Sequence, residues 1–456
     1  SDDRDLLVNP CVEIGMWPVD IVTGLTGWQF CNLCELNGKL IKSPEDWMVA
    51  ARAAAIIGTC QAGYADFEYL GDVTKRITER EALLGVSITG MMDSPEVIFD
   101  AELQRKVAEY ILFVNTEIAP KIGVRLTARA TCVKPAGTSS CILGTGSGIH
   151  PHHARRYIRR IQGNQLEAPL QFYKRHNPHA VQKSVWSANG MDDVISFGIE
   201  VDEKARVKPD LTAIELLDHV RLTQMNWVAA GRVADRCTQP WLRHNVSNTI
   251  SVEPHEWEPV GRYIYHNREH FAGVSLLPAS GDRDYPQSPM VQVYTPEQII
   301  KHYGDAGLFA SGLIVDGLHA FDDNLWLACE HALGHQKVSP PKLVEQAVCS
   351  PWLKSIKKLF GFKVSEYTWD ATKEEVQKKL DRIDWVRRAY QFADRYFQGD
   401  LKKMTYCLKD VDNWHQWVAL RRQDVPVDYS EMTEDEDGTT LQQEWACSGQ
   451  GGCEVR

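Results

Sequence analysis

Short apolar runs that end on glycine or on small hydroxyl residues recur along this chain, separated by segments of helical period. Leu84-Gly85-Val86-Ser87-Ile88-Thr89-Gly90 is such a run. Ala130-Thr131-Cys132-Val133 is a second, leading into Lys134-Pro135-Ala136-Gly137-Thr138-Ser139-Ser140, and Ser247-Asn248-Thr249-Ile250-Ser251-Val252 is a third. Runs of this length bounded by turn residues read as buried strands. Between the first two, Leu103, Val107, Tyr110, Ile111, Val114 and Ile118 repeat at helical spacing within residues 101–118. An earlier helix opens at Ser43-Pro44-Glu45-Asp46. Ser43 suits the cap, Pro44 the first turn, and the acidic pair the positive end of the dipole. Further helices are expected at about 211–235 and 296–303, and two lysine-bearing stretches near 341–362 and 372–396 read as surface helices. Strands alternating with helices define an α/β class.

Composition narrows the function. With 43% hydrophobic and 24% charged residues, the 456-residue chain is not a disordered one. Fifty basic against 61 acidic residues leave a net charge of -11, which argues against a general nucleic-acid binder but leaves room for a local phosphate pocket. No apolar run is long enough to span a membrane. The acidic start Ser1-Asp2-Asp3-Arg4-Asp5 lacks the apolar core of a signal peptide, so the expected location is the cytoplasm. Twelve cysteines are too sparse for a disulfide scaffold and numerous for a reduced enzyme.

Four constellations carry chemistry. In Asn9-Pro10-Cys11-Val12-Glu13, Pro10 favours an extended Asn9, and an extended loop would project Asn9, Cys11 and Glu13 together. A thiol, a carboxylate and an amide on one face suit chemistry on a polyol. The carboxylate disfavours a thiolate nucleophile and leaves room for a radical one. A strand end with a buried cysteine is the plain structural alternative. Cys31-Asn32-Leu33-Cys34 has C-x-x-C spacing, a zinc or dithiol signature. Zinc needs a second pair, which neither Cys60 nor Cys447/Cys453 supplies at suitable spacing, so redox use is the better reading. Ala136, Gly137, Thr138 and Ser139 form a small hydroxyl-rich turn able to act as an anion nest, without the Walker pattern. The following His150-Pro151-His152-His153 and Arg155-Arg156, Arg159-Arg160 add positive charge. Pro151 and the adjacent histidines spoil a chelating face, so no metal is expected, and a solvated basic helix is the plain reading of the arginines. Finally, residues 428–437 are strongly acidic and 448–452 small, which reads as a mobile tail. Cys447 and Cys453 within it suit thiol–disulfide exchange.

Taken in order, these motifs resemble adenosylcobalamin-dependent (class II) ribonucleotide reductases. Asn9-Pro10-Cys11-Val12-Glu13-Ile14 is similar to that family's Asn-Pro-Cys-Gly-Glu-Ile finger loop. Cys31-Asn32-Leu33 resembles its following Cys-Asn-Leu, and residues 131–140 with 147–151 its substrate-phosphate loop. Residues 273–278 and 285–289 resemble the monomeric, triphosphate-using branch. The resemblance implies a thiyl radical on Cys11, Glu13 as general base, Asn9 holding substrate hydroxyls, and Cys31 as one of two reducing thiols. It also implies phosphate contacts at Ala136, Gly137, Thr138 and Ser139, with Cys447 and Cys453 delivering electrons from a thioredoxin-like protein. The cofactor would be adenosylcobalamin. Tyr406 is followed by Cys407, so the tyrosine dyad of a class I catalytic subunit, the nearest alternative, is lacking.

The fold so implied is the second half of a ten-stranded α/β barrel. The finger loop and active-site strand would fall in 1–40, the half-barrel with peripheral helices in 41–425, and a redox-active tail in 426–456. The family's first half-barrel and the partner thiol of Cys31 lie before the finger loop, so the expectation is a split enzyme working with an N-terminal polypeptide. Cys34 is a poor substitute for that thiol because it shares a segment with Cys31. Two local departures stand out: Val12 replaces the family glycine, with its side chain expected to point away from the triad, and the tail pair is one residue wider than usual.

Overall fold

The structure is a computed structural model that describes residues 6–188, 190–279, 287–304, 306–307 and 396–432. Two compact units divide the chain. The described residues of the first are 6–152 and 202–279, and those of the second are 153–201 with the described part of 287–432. The first unit therefore joins the 1–40 segment to strands from the region beyond it, and the 41–425 span contributes to both units.

The first unit opens with β1 (Leu7–Val8) and β2 (Gly15–Met16), an antiparallel pair in register Leu7↔Met16 and Val8↔Gly15. β3 (Asn32–Asn37) then leads to α1 (Pro44–Gln61), α2 (Gly71–Glu81) and β4 (Leu84–Thr89). The start of α1 follows its sequence: Ser43 Oγ accepts from Asp46 N at 3.1 Å and Pro44 occupies the first turn. β3 pairs parallel with β4 from Asn32↔Leu84 to Asn37↔Thr89. Every residue of β4 is buried, Ser87 and Thr89 included, as in a strand covered on both faces.

Parallel pairing continues beyond β4. Leu84 N and Val86 N donate to Arg129 O and Ala130 O at 3.0 and 2.8 Å, and Val86 bridges Thr131. Val133 in turn bridges Val246 in parallel, just ahead of β5 (Thr249–Val252), which pairs with β6 (Ser275–Pro278). Five parallel segments thus follow one another in chain order, with helices at each crossover. They include α3 (Ala101–Ile122), capped by Asp100 at 2.9 Å to Leu103 N and closed by Gly123 at φ 74°. The core between strands and helices centres on Trp47 and Trp227, both fully buried and stacked with centroids 5.8 Å apart. Each such side chain contributes about 1.5–3 kcal/mol of transfer free energy.

Two expectations need adjustment here. The helix read over 211–235 runs only from Ala213 to Thr223 and passes into π-helical Gln224–Val228. That local widening lets Gln224 donate to His244 O and accept from Val246 N, both at 2.9 Å, so it fixes the segment beneath the candidate site. The strand read from Ser247 begins at Thr249.

The second unit holds a four-stranded antiparallel sheet in the order 290–292, 156–164, 192–200, 181–183. The arginines of 155–160 do not lie on a solvated helix: Arg156–Asn164 is a strand. Tyr157, Ile158 and Ile161 favour the sheet, and the arginines find partners at its edges. Arg156 meets Glu200 at 2.9 Å and Arg160 donates to Ser288 O at 3.1 Å. The helix Leu401–Gln423 packs on this sheet, Trp417 Nε1 donating to Ile199 O at 3.0 Å. Pro296–Tyr303 is helical as expected. The stretches near 341–362 and 372–395 lie outside the described residues. Among the described residues no helix is long and apolar enough to cross a membrane.

Candidate active site

The β1–β2 hairpin carries the first motif at its turn. Asn9 to Glu13 is not extended. Val12 N donates to Asn9 O at 2.9 Å, and Asn9 Oδ1 accepts from Ile14 N at 3.0 Å. Two strand stubs paired Val8↔Gly15 leave six residues to reverse direction, and Pro10 supplies a fixed φ inside that reversal. Val12 sits at φ 62°, in the left-handed region, with 40% of its surface exposed. The glycine of the resembling finger loop thus has a backbone reason at this position.

A segment at the end of the parallel array cradles the turn. Ser247 Oγ donates to Cys11 O at 2.6 Å, Asn245 Nδ2 to Val12 O at 3.0 Å, and Asn245 N to Glu13 O at 2.9 Å. Gly15 N donates to His244 Nδ1 at 3.3 Å, while His244 Nε2 lies 3.0 Å from Leu84 O. That pair of contacts requires the neutral tautomer with hydrogen on Nε2. Burial, with the charge of Arg129 adding to it, holds the His244 pKa down at about 3. Below the turn, Arg129 donates to Gly15 O at 3.1 Å and pairs with fully buried Glu81 at 2.9 Å. Burial pushes Glu81 upward, but Arg129, Thr238 N–H and Gln29 outweigh it and keep the carboxyl below its usual range. Arg80 of α2 adds bonds to Trp17 O and Val19 O, and Arg76 pairs with Asp20 at 2.7 Å. The chain between Cys11 and Cys31 is therefore fastened to α2 directly by Arg76 and Arg80, and through Arg129 by Glu81.

Glu13 has no solvent exposure. Lys134 Nζ lies 3.2 Å from its Oε1, and its Oε2 is buried without a hydrogen-bond partner. Lys134 also faces the Cys11 thiol. The structure thus brings Cys11 and Glu13 together around one ammonium group. Burial works against that ammonium, but Glu13 and Cys11 outweigh it, and the Lys134 pKa rises above its ordinary value.

Cys31 precedes β3 and packs beside Gly85 of β4, where an added Cβ would come within 2.9 Å of the Cys31 sulfur. Burial pushes the Cys31 thiol far above its usual range; Arg129 opposes this and Glu13 and Cys34 add to it. Burial thus favours the neutral thiol at Cys31. Cys34 lies elsewhere: its sulfur is 3.5 Å from Gln61 Oε1 and packs on the Trp47 core. The two thiols of the C-x-x-C thus serve different cores, and among the described residues no three ligating side chains gather to hold a metal. Fully buried Cys132 interacts electrostatically with Cys31, Glu13, Lys134 and Glu35, and burial raises its pKa well above the ordinary value.

The hydroxyl-rich turn closes the other side. Ala136 is buried, Gly137 caps α4 (Thr138–Leu143), and Ser140 Oγ folds back onto Ala136 O at 2.6 Å. Ser139 Oγ donates to the carboxylate of Glu35 on β3, whose Oε1 is buried without a partner. Burial raises the Glu35 pKa, with Ser139 and Lys134 opposing. Beyond the turn, His152 pairs with Asp93 at 3.0 Å, and Asp93 accepts from Gly146 N at 2.9 Å, which fixes the continuation. Cys447 and Cys453 lie outside the described residues. Lys134, His244 and the Glu81–Arg129 pair carried no role in the sequence reading. For Lys134 a signal was present: a lysine at the carboxyl end of an apolar strand, where ligands bind in α/β folds.

A parallel α/β array that presents a thiol and a buried carboxylate on a central hairpin defines the class of enzyme this chain resembles. Comparison gives that class a name. No family model matches the chain. It is 25% identical over 299 residues to the adenosylcobalamin-dependent ribonucleoside-triphosphate reductase of Levilactobacillus brevis, covering 62% of this chain and 38% of that protein. It is 24% identical over 324 residues to a putative reductase of the same name from Mycobacterium phage D29, with 62% and 42% covered. A crystal structure of a B-12 dependent (class II) ribonucleotide reductase superposes with a TM-score of 0.50 at 17% identity, covering 74% of this chain and 45% of that one. The chain is similar in sequence to these reductases and shares the α/β fold of the solved one. It spans about two fifths of the length of the curated relatives it matches.

Proposed function

We propose that this chain carries one half of the active site of an adenosylcobalamin-dependent ribonucleoside-triphosphate reductase and works with a polypeptide that supplies the remaining half-barrel. What supports this most directly is the thiol of Cys11 and the buried carboxylate of Glu13 on one hairpin turn, joined by Lys134 and with the Cys31 thiol close enough to feel the charge of Glu13.

The residues present fit the thiol-receiving end of a cobalamin site. Cys11 is partly exposed, its carbonyl is tied back by Ser247, and Leu7, Val8 and Val12, close to it in the chain, are exposed apolar residues, which suits a site for a large apolar-faced cofactor beside the thiol. Adenosylcobalamin, when bound, supplies a carbon radical able to take the hydrogen atom of a thiol. Cys11, once a thiyl, takes the 3′ hydrogen of the ribose, and Glu13 Oε2 accepts the 3′-hydroxyl proton. The Asn9 amide, anchored through Oδ1 to Ile14 N, offers Nδ2 to the substrate hydroxyls. Cys31 and a thiol of the partner chain give two hydrogens and become a disulfide, the 2′-hydroxyl leaves as water, and Cys11 returns its hydrogen to C3′. Ala136, Gly137, Thr138 and Ser139 hold the triphosphate. Cys447 and Cys453 then reduce the disulfide and pass the oxidation to a thioredoxin-like protein.

Reconstitution with the complementary chain tests the reading. Turnover is expected to require adenosylcobalamin, and Cys11→Ser is expected to abolish it while nucleotide binding persists. Turnover supported instead by a di-metal radical subunit, or retained by Cys11→Ser, overturns it.

A further inference from the structure

Glu13 is fully buried, yet only one of its oxygens is engaged: Oε1 meets Lys134 and Oε2 has no partner. The backbone of Lys134 is itself held, its N–H donating to Ser87 Oγ at 2.8 Å and Pro135 following it. The ammonium therefore reaches Glu13 from a fixed point at the end of the third parallel segment, and it faces Cys11 from the same point. Other titratable groups that act on this corner are Cys11, Cys31, Cys132 and Glu35, with Arg129 acting on Cys31 from below. Burial keeps the Cys31 and Cys132 thiols neutral, and Glu35 is a like charge that disfavours a second carboxylate. Among the described groups named here, Lys134 is the cation in direct contact with the Glu13 carboxylate, at 3.2 Å.

We propose that Lys134 is a positioning residue of the radical site: it ties down Oε1 of Glu13, leaves Oε2 as the face that meets a substrate hydroxyl, and keeps Glu13 in the carboxylate form. The inference rests on the reading of Glu13 as the general base. Removing the ammonium leaves a carboxylate buried beside Glu35 with no counter-charge in contact, and a group so placed takes up a proton rather than stay charged. A protonated Glu13 accepts no proton from substrate. An arginine keeps the charge and the reach.

Isotope-edited infrared spectra of the full chain, carrying 13C-carboxyl glutamate at pH 7, test this without turnover. The native chain and Lys134→Arg are expected to show no protonated-carboxyl band that depends on Glu13. Lys134→Met is expected to gain one, which disappears in Lys134→Met combined with Glu13→Gln. An ionised Glu13 in Lys134→Met, or a protonated one in the native chain, overturns the proposal. Where Lys134→Met does not fold, adding Glu13→Gln is expected to restore folding by removing the stranded charge, and failure to restore it overturns the proposal equally. In the reconstituted enzyme the acid limb of the pH–rate profile of Lys134→Met is expected to move up by at least one pH unit, with Lys134→Arg returning it. Absence of turnover in the native assembly would count against the reductase reading and leave the infrared result standing, so the two fail separately.

Discussion

Asn245 Nδ2 donates to the Val12 carbonyl at 3.0 Å and holds a β-branched residue at φ 62°. The bond lies at the centre of the hairpin turn that presents Cys11 on one side of Val12 and Glu13 on the other. Sequence reading expected Val12 to stand in for glycine with its side chain turned outward. The residue is 40% exposed, and the backbone at that position is one that L residues rarely adopt.

Val12→Gly is therefore expected to stabilise the chain. A left-handed non-glycine residue costs about 1–2 kcal/mol, of which the greater freedom of glycine when unfolded takes back about 0.5–1. A net gain near 1 kcal/mol raises the thermal midpoint by about 1 °C for a chain of 456 residues. Scanning calorimetry checks it, and an unchanged or lower midpoint would show that the turn carries no strain.

His244 predicts an acid sensitivity. Its pKa falls from 6.5 to about 3 on folding because the buried ring is neutral. The unfolded chain therefore binds the extra proton first, and stability is full above pH 6.5 and declines as pH falls toward 3. At pH 5 the loss from this group is about 2 kcal/mol. Urea midpoints between pH 5 and 7 measure it, with His244→Gln expected to flatten the slope; equal slopes in the two proteins would rule His244 out as the source.

Gly85 leaves room for a sulfur atom. A methyl group there would meet Cys31 Sγ at 2.9 Å and Leu33 Cδ2 at 2.6 Å. Gly85→Ala is expected to cost about 1–3 kcal/mol through overpacking and, under the proposed function, to reduce turnover by displacing Cys31. Denaturant unfolding and turnover are read together. Native stability and turnover would mean that the space is not needed.

Glu35 competes for the phosphate turn. Its carboxylate takes the Ser139 hydroxyl, and burial raises its pKa, so the charge that repels a phosphate is lost as pH falls. If the turn binds the triphosphate, affinity for tripolyphosphate should rise from pH 8 to pH 5, toward the range in which a carboxyl raised above its ordinary value takes up its proton, in the native chain. Glu35→Gln should bind several-fold tighter at pH 8 and show a flatter profile. Calorimetric titration at the two pH values decides it, and identical affinities in both proteins would falsify the competition.

Much of the fold was legible because its cues are local. Ser43 and Pro44 mark the start of α1, and the apolar run at 84–89 gives a fully buried strand. The basic run at 155–160 was misread because clustered arginines say that a segment is solvated, while Tyr157, Ile158 and Ile161 between them decide for a sheet. The turn at 9–13 was misread for a related reason. Pro10 favours extension of its neighbour, but Asn9-Pro10 is equally a turn-initiating pair, and the pairing of Val8 with Gly15 decides for the reversal.

By itself, the sequence determined the α/β alternation, the thiol and carboxylate of Cys11 and Glu13, and the order of the motifs, because each is written in consecutive residues. Only the tertiary structure decided what surrounds them. Lys134 reaches Glu13 across 121 positions and His244 reaches Gly15 across 229, and contacts at such separations follow from strand order and register rather than from local preference. The same packing separates Cys31 from Cys34, three residues apart, by turning one toward Gly85 and the other toward Gln61. The chemistry offered by this chain therefore depends on which side chains the parallel array brings to one hairpin turn.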